Sequence, residues 1–419
     1  MSIHLRSIVC ALSLIGYSTL ALVPGAGSAL AAEEAPLDKD TVRLEIGKPL
    51  KEATDFTTAK QHKEALAKID EADAVPAKTP YESYVISRNR GAAAFAAGNV
   101  DLAAKSFAAA MSFNRLTTAE LLDISRALAV QFYNKPDHPN AIVWANRYLE
   151  LGGPESQIRV LLAQSHYLKN DCASAATVLR KFNRDDEAAG RVMPEGQLQL
   201  WANCEMTLKR NAELVMALER LAVHYPKKAY WSDLIRRIQV NPAFAERLAL
   251  DAYRLQFHAG AIDSPEEYLD MAGLAMQAGF PVEAKKALDK GVADKLLGTS
   301  ATDAKLKQLQ EQVNKGLAED MKALAQDEQR AAAAKTGVTQ INIGFNFVQH
   351  GQFEKGIALI ERGIAQGGLK NSEDAKLKLA MAYLYAGQKD KAVQAFKSVE
   401  GTDGTEVLAR LWLLRMNQG

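Results

Sequence analysis

The sequence predicts an all-α protein in which one helix-turn-helix unit repeats along most of the chain. Apolar residues recur at helical spacing, small residues return at fixed places in each unit, and glycines stand between the two helices. The clearest unit runs from Gly91 to Ala110. The units that open with Gly344 and Ala380 lie 36 residues apart, and the small and apolar residues that follow in each unit keep the same spacing. Together these observations indicate a helical repeat array.

A small residue near the centre of the first helix sets the phase of each unit. These residues are Ala53, Gly91, Ala129, Ala163, Ala202, Ala272, Gly344 and Ala380. The intervals from Ala202 to Ala272 and from Ala272 to Gly344 are 70 and 72 residues, each close to twice the ordinary spacing. We therefore expect two degenerate units, near residues 229–262 and 297–334, and about ten units in all.

The small residues have a physical role in this pattern. A small side chain on the first helix of a unit allows the second helix to approach closely. Gly98, Gly279, Gly351 and Gly387 stand where the first helix must end, and glycine adopts the left-handed conformation of such a C-cap at little cost. Because only a few residues connect the two helices, they are predicted to be antiparallel neighbours.

The segment Gly91-Ala-Ala-Ala-Phe95-Ala-Ala-Gly98-Asn-Val-Asp-Leu-Ala103-Ala-Lys-Ser-Phe107 resembles the tetratricopeptide repeat (TPR). The resemblance implies a right-handed superhelical solenoid whose first helices line a concave groove. The sequence departs from the family pattern near the start of the first helix. An aromatic residue is usual there, but these units have Ser87, Arg159, Gln340 or Lys376. The repeats are therefore divergent.

The resemblance also implies that the groove binds a protein or peptide partner. Groove positions lie one, four and five residues after the small residue of each first helix, and many of them are apolar or aromatic. The expected partner-binding residues are Phe95, Tyr133, Tyr167, Met276, Phe345, Val348, Met381, Leu384 and Tyr385. The Lys/Asn clamp that some family members use for a peptide carboxylate is not evident, since Arg88 and Arg126 are the only cations at those positions.

The N-terminus reads as a secretory signal peptide over residues 1–32. Arg6 is its positive residue, an apolar stretch follows, and Ala29-Leu30-Ala31 forms a small-x-small cleavage site. The rival interpretation is an uncleaved anchor, but an apolar stretch of about 16 residues is shorter than the roughly 20 that span a bilayer. We expect a periplasmic protein without an integral membrane span after cleavage.

Two C-terminal regions stand apart from the repeats. Residues 33–402 are assigned to the array, and residues 403–419 are predicted to form a capping helix with Trp412 in the core. Between Asp303 and Lys335 we expect an elongated helical hairpin with its turn near Gly316. The alternative is a short coiled coil that forms a dimer seam along an apolar stripe. That stripe consists of Leu306, Leu309, Val313, Leu317, Met321 and Leu324.

Composition and motifs exclude several classes of function. With 51 basic and 50 acidic side chains, the net charge of +1 disfavours nucleic-acid binding. The sequence contains no phosphate loop, nucleophile elbow or paired metal-binding histidines, so we expect no enzyme, cofactor or metal site. His166 and His350 are interpreted as structural. Cys172 and Cys204 are either a disulfide or two buried thiols, since both are compatible with an exported chain.

The sequence thus predicts an exported scaffold that binds a partner in its groove and assists assembly of a cell-envelope complex. The alternatives are a self-associating structural solenoid and an accessory of envelope polysaccharide export or synthesis. A monomer is favoured over an oligomer. Gly344→Leu is expected to force two helices apart, whereas Tyr385→Ala is expected to spare the fold and weaken partner binding.

Overall fold

A computed structural model describes residues 40–154, 156–299 and 302–418, apart from the side chains of Asp303 and Ala325. Within these ranges every regular element is helical, so the predicted all-α fold class is confirmed. The predicted signal peptide lies outside the described residues. The chain divides into two compact units, Met1–Val178 and Leu179–Gly419, and each is taken by itself.

The first unit consists of consecutive antiparallel hairpins. Within it α1 packs on α2, α3 on α4, and α5 on α6. Its core is formed by small and branched apolar side chains such as Ile46, Leu50, Ala65 and Ile69, which are almost fully buried. Its helices are α1 (Leu44–Thr58), α2 (His62–Ala74), α3 (Pro80–Ala96), α4 (Val100–Met111), α5 (Thr118–Asn134), α6 (His138–Glu150) and α7 (Ser156–Leu168), followed by α8 (Cys172–Ala188), in which the division between the units falls.

Local sequence signals explain where these helices begin and end. Thr79 and Thr117 form capping boxes with Glu82 and Glu120, so side chains satisfy backbone N–H groups of the first turn. Gly98 follows α3 with a φ of 74°, in the left-handed region. The predicted end of the first helix is therefore confirmed at this glycine.

The close helix approach predicted from small residues is present in the α3/α4 hairpin. A Cβ added to Gly91 would lie 2.8 Å from the ring of Phe107 on α4. That distance is shorter than a van der Waals contact, so a larger residue at position 91 would displace the ring. Gly91 thus fixes the spacing of α3 and α4, as the repeat pattern predicts.

The second unit continues the hairpin pattern, and α9/α10, α13/α14, α16/α17 and α18/α19 pack as pairs. A short 3-10 turn, Glu246–Leu248, precedes α12. The helices of this unit are α9 (Glu195–Thr207), α10 (Asn211–His224), α11 (Lys228–Gln239), α12 (Ala249–His258), α13 (Pro265–Gln277), α14 (Pro281–Ala293), α15 (Asp303–Ala332), α16 (Gly337–Gln349), α17 (Phe353–Gln366), α18 (Ser372–Tyr385), α19 (Lys389–Lys397) and α20 (Thr405–Met416).

The α16/α17 hairpin is packed with backbone against backbone. A Cβ on Gly344 would lie 2.7 Å from the carbonyl oxygen of Gly356 and 2.9 Å from Ile360 Cγ1. A Cβ on Gly356 would in turn lie 2.5 Å from the carbonyl oxygen of Gly344. Neither glycine can be enlarged without moving a helix, because a backbone carbonyl cannot rotate away as a side chain can.

The two degenerate repeats expected from the sequence differ in whether they form a helix pair. Residues 229–262 form α11 and α12, so a helix pair is present where one was expected. Residues 303–332 form the single helix α15, so the predicted hairpin is wrong. Gly316 does not make a turn. It lies against α13, where a Cβ would be 2.9 Å from Met276 Cε, and its lack of a side chain serves helix packing.

The apolar stripe of α15 packs largely within its own unit. Leu306 and Val313 are buried, Leu309, Leu317 and Leu324 are half-buried, and α15 contacts α13, α14 and α16. Met321 alone of the six is exposed, at 68%. The stripe therefore explains how α15 attaches to its neighbours.

The C-terminal segment returns to the beginning of the second unit. Helix α20 packs on α18 and α19 and also on α12. Ala245 N–H donates to the carbonyl of Asp403 at 2.8 Å, and the Gln418 side-chain amide donates to the carbonyls of Ala222 and Val223 at 2.5 and 2.9 Å. We call this set of contacts the closure. It joins residues far apart in sequence within the second unit.

Trp412 lies at the centre of the closure. It is fully buried, as predicted, and stacks on Phe396 of α19 with ring centroids 5.8 Å apart. Its other neighbour is His258 at the end of α12, with ring centroids 4.9 Å apart. Helix α20 therefore covers the preceding hairpin and also contacts α12, which the capping pattern does not predict.

Candidate functional site

The predicted groove positions of the first unit form a row of three aromatic side chains. Phe95 of α3, Tyr133 of α5 and Tyr167 of α7 each lie four residues after the small residue of their helix, and all three are half-buried. We call this set the aromatic row. Each side chain therefore combines a fixed, packed portion with accessible surface, which is the condition of an aromatic anchor in an interface.

Neighbouring helices hold Tyr133 in place. Its hydroxyl donates to Gln164 Oε1 of α7 at 2.9 Å, and its ring meets His138 edge-on with centroids 5.8 Å apart. Gln164 lies one residue after the small residue of α7, which is also a predicted groove position. This contact confirms that groove positions of successive first helices are adjacent in space.

The arginines beside the aromatic row are engaged with carboxylates. Arg88 Nη2 lies 2.8 Å from Glu120 Oε1, and Arg126 lies 3.5 Å from Asp123. Burial would raise the pKa of Glu120, but hydrogen bonds from Thr117 and the charge of Arg88 outweigh it and lower that pKa. Both arginines are therefore paired with carboxylates of their own unit.

At three of the corresponding positions in the second unit, the side chains are less accessible than those of the aromatic row. Phe345, Val348 and Met381 are buried. The prediction that these three line an open groove is therefore wrong. Part of the cover comes from α12, whose Arg254 side chain lies over the Phe345 ring with 4.7 Å between its Cζ and the ring centroid.

Arg254 organises this interior, although it is only 2% exposed. Its Nη1 donates to Asp251 Oδ1 at 2.6 Å, and its Nε and Nη2 donate to the two oxygens of Glu283, both at 2.7 Å. Burial would lower the pKa of Arg254, but Glu283 and Asp251 outweigh it and raise that pKa, so the guanidinium stays charged. We call these three residues the Arg254 cluster.

Three further predicted groove residues of the second unit, Met276, Leu384 and Tyr385, are half-buried. Tyr385 is close to the Arg254 cluster, and its ring centroid is 6.4 Å from that of Phe345. Burial, reinforced by the negative charge of Glu283, raises the pKa of Tyr385. Met276 faces Gly316 of α15. These side chains support the interior of the unit more than they form a surface.

The histidines singled out from the sequence make structural contacts. His350 Nε2 lies 2.6 Å from Asp320 Oδ2 of α15, and the Asn346 amide donates to Asp320 Oδ1 at 2.7 Å. His166 Nδ1 lies 3.4 Å from Asp171, and burial lowers the pKa of His166. Among the described residues, no three His, Cys, Asp or Glu side chains are grouped as ligands for a metal ion.

Cys172 and Cys204 are both buried and are present as thiols. Cys172 belongs to the first unit and Cys204 to the second, and the disulfide considered from the sequence stays a prediction. Cys172 begins α8 and Cys204 lies within α9. A buried thiol behaves as a small apolar side chain that fills space between packed helices.

One feature of the second unit has no signal in the sequence. A cavity of about 430 Å³ lies between α10, α11, residues 241–244, the turn at residues 402–404 and α20. Its wall includes Arg220, Arg237 and Arg410 beside apolar side chains. Since the closure brings these segments together from distant parts of the sequence, no local motif could have indicated the cavity.

The helices show no candidate for a membrane span, since none in the described part of the chain is long and apolar enough to cross a bilayer. No family model matches the sequence, and no curated protein sequence matches it.

Solved structures of helical repeat proteins do match. A chain of "Structure of Naa15/Naa10 bound to HypK-THB" is 15% identical, with 89% of this chain and 68% of that chain covered and a TM-score of 0.28. A tetratricopeptide repeat protein from Parabacteroides merdae ATCC 43184 is 12% identical, with coverages of 81% and 98% and a TM-score of 0.28. The TPR domain of P58(IPK) is 13% identical, with coverages of 89% and 99% and a TM-score of 0.21.

Proposed function

We propose that this chain is a non-catalytic, exported scaffold that binds a protein or peptide partner and assists assembly of a complex in the cell envelope. The aromatic row of the first unit carries the proposal. Phe95, Tyr133 and Tyr167 occupy the same register position on three successive hairpins and remain half-exposed. A regular row of partly exposed aromatic side chains suits an extended segment or a helix that contacts several hairpins at once.

Neighbouring side chains already hold Tyr133 of the aromatic row in position before a partner binds. Because Tyr133 is hydrogen-bonded to Gln164 and packed on His138, it loses little conformational freedom when a partner covers it. Aromatic side chains with few rotatable bonds give large contact areas at low entropic cost. These features favour partner binding over a purely structural role for the row.

Export is proposed from the sequence alone. Arg6, the following apolar stretch and the Ala29-Leu30-Ala31 site support cleavage after residue 31 or 32. Intact mass measurement of the protein recovered from an osmotic-shock fraction would test this directly. A mature chain that begins near Glu33 supports export, whereas a cytoplasmic protein that retains Met1 contradicts it.

Site-specific photo-crosslinking tests partner binding in the cell. A benzophenone amino acid replaces Tyr133, Tyr167 or, as a control, Val143 of α6, which is 58% exposed and lies on the second helix of its hairpin. The proposal expects one envelope protein to be captured from positions 133 and 167 and not from position 143.

Three other outcomes would count against the proposal. Equal capture from all three positions would mean non-specific contact. Capture of the protein itself alone would favour self-association. Loss of exopolysaccharide on deletion, with no protein captured, would favour a role in polysaccharide export or synthesis.

A further inference from the structure

The cavity of the second unit is formed by the closure and has a defined wall. Phe244 lies against Gly404, where an added Cβ would be 2.5 Å from the Phe244 ring, and Gly404 has a φ of 102°. A side chain at position 404 would therefore both strain the turn and displace Phe244. At about 430 Å³ the cavity is in the size range of ordinary ligand sites.

The charged part of the wall is mostly cationic. Arg220, Arg237 and Arg410 line the cavity, and Glu219 is the carboxylate among its lining residues. The Glu219 side chain is 7% exposed, and its Oε2 lies 2.5 Å from Arg410 Nη1 and 3.8 Å from Arg220 Nη1. Glu219 thus acts from a buried position and holds two guanidinium groups at the wall.

Two further carboxylates contact these arginines from outside the cavity. Glu187 accepts from Arg220 Nε at 3.1 Å, and Asp233 lies 3.6 Å from Arg237 Nε. Glu187 and Asp233 are 43% and 50% exposed. Exposed ion pairs of this kind contribute little, so a carboxylate brought into the cavity can compete for the same guanidinium groups.

The remainder of the wall is apolar. Val215, Ile238, Phe244 and Val407 line the cavity, and Met216 at its edge is 48% exposed. An apolar side chain placed there would remove this surface from water. The site therefore offers apolar contact between cationic groups.

We propose that the cavity binds an acidic-apolar-acidic segment of a partner protein, with the apolar side chain on Val215, Ile238 and Val407 and the carboxylates on the arginines. The wall carries three guanidinium groups and one carboxylate, and its net charge of +2 matches a peptide with two carboxylates better than a fatty acid with one. The proposal rests on the proposed function in that the chain binds a protein, but it uses other residues than the aromatic row.

Fluorescence anisotropy with labelled peptides tests the site on the full mature chain at low salt. The probe is fluorescein-Gly-Glu-Leu-Glu-Gly, and its matched controls replace both Glu by Gln or the Leu by Ser. We expect the Glu-Leu-Glu peptide to bind about tenfold more tightly than either control and to lose affinity as salt increases.

Two variants connect binding to the cavity. Arg237→Gln removes a guanidinium whose carboxylate neighbour, Asp233, is exposed, and Val407→Trp fills the apolar part. Each should weaken peptide binding about tenfold while the thermal unfolding midpoint stays near that of the wild type. Tyr133→Ala/Tyr167→Ala should bind the peptide normally, so failure at the cavity is distinguishable from failure at the aromatic row.

Several results would overturn the proposal. The proposal is wrong if the Glu-Leu-Glu peptide does not bind up to about 1 mM, if the Glu and Gln peptides bind equally, or if both cavity variants keep wild-type affinity. Displacement of the peptide by decanoate, a fatty acid with one carboxylate, is the remaining comparison. If decanoate displaces the peptide completely and binds more tightly, the site is one for a single carboxylate with an apolar tail, and the peptide proposal is wrong.

Discussion

Three predicted groove residues of the first unit differ in burial from three of the second. In the first unit the groove positions Phe95, Tyr133 and Tyr167 are half-exposed, whereas in the second unit Phe345, Val348 and Met381 are buried. All six residues are apolar or aromatic and lie one or four places after a small residue on a first helix. Their different burial must therefore come from what surrounds each helix.

The difference lies in contacts between residues far apart in sequence. In the second unit Arg247 pairs with Asp374, 127 residues away, at 2.9 Å, and also with Asp403. Arg254 enters the interior from α12 and packs on Phe280 and Phe345. A repeat pattern specifies how each hairpin packs, but whether its first helix faces solvent or another helix is decided by such distant contacts.

The largest expected effect concerns the Arg254 cluster. Arg254→Met leaves Asp251 and Glu283 buried without their cation, so the second unit should lose about 3–5 kcal/mol of unfolding free energy. Arg88→Met, which breaks the partly exposed pair with Glu120 in the first unit, should cost about 1 kcal/mol or less. Urea unfolding followed by circular dichroism measures both. Equal costs would mean that the two interiors are not different.

Gly344→Leu is expected to cost about 3 kcal/mol, because any side chain there meets the backbone carbonyl of Gly356 on α17. The matched control is Gly273→Leu on α13 of the same unit, where an added Cβ has no neighbour within 4 Å. That control should change stability by at most about 1 kcal/mol, in the stabilising direction, because leucine favours helix more than glycine does. Similar losses in both variants would contradict the close α16/α17 packing.

Truncation of one groove tyrosine in each unit separates core from surface. Tyr385→Ala should destabilise the second unit by about 2 kcal/mol, since the ring packs beside Phe345 and the Arg254 cluster. This differs from the sequence expectation that the fold would be spared. Tyr133→Ala should cost under about 1 kcal/mol and act mainly on partner binding. Thermal unfolding of the two variants gives the comparison, which fails if Tyr133→Ala is the more damaging change.

Acid should weaken the closure, and this is the smallest expected effect. A hydrogen bond from the Thr405 hydroxyl, with Arg247 as second cause, lowers the pKa of Asp403 from 3.8 to about 2. Because the folded pKa lies below the unfolded value, this contribution is complete above pH 3.8 and is lost as the pH falls towards 2.

Hydrogen exchange of the α20 amides measures that loss at pH 5 and pH 3. Protection should fall at pH 3 in the wild type. In Asp403→Asn it should be lower at pH 5 and change less between the two conditions. If wild type and variant lose protection equally, Asp403 does not support the closure.

The sequence allowed most of the fold to be predicted, since the features it rests on are local. The glycine after α3 and the close contact at Gly91 both follow from the spacing of small residues. The hairpin expected at residues 303–335 failed for a reason that is not local. Gly316 has the appearance of a turn residue, and only its contact with Met276 shows why a glycine stands within a continuous helix.

The candidate sites were predictable in part. The aromatic row follows from register, because its three members occupy the same position on successive first helices. The Arg254 cluster and the cavity could not be predicted, since the cluster depends on how α12 packs and the cavity on how α20 returns to the start of the second unit. No period in the sequence encodes those contacts.

Hydroxyl-radical footprinting with mass spectrometry tests the central claim, that the aromatic row of the first unit is accessible whereas Phe345, Val348 and Met381 of the second unit are buried. Exposed Met321 and buried Met381 form an internal pair of the same chemical type. We predict rapid oxidation of Met321, Tyr133 and Tyr167, and strong protection of Met381 and Phe345. Oxidation of Met381 at the rate of Met321 would show that this groove position of the second unit is also open, and would contradict the account.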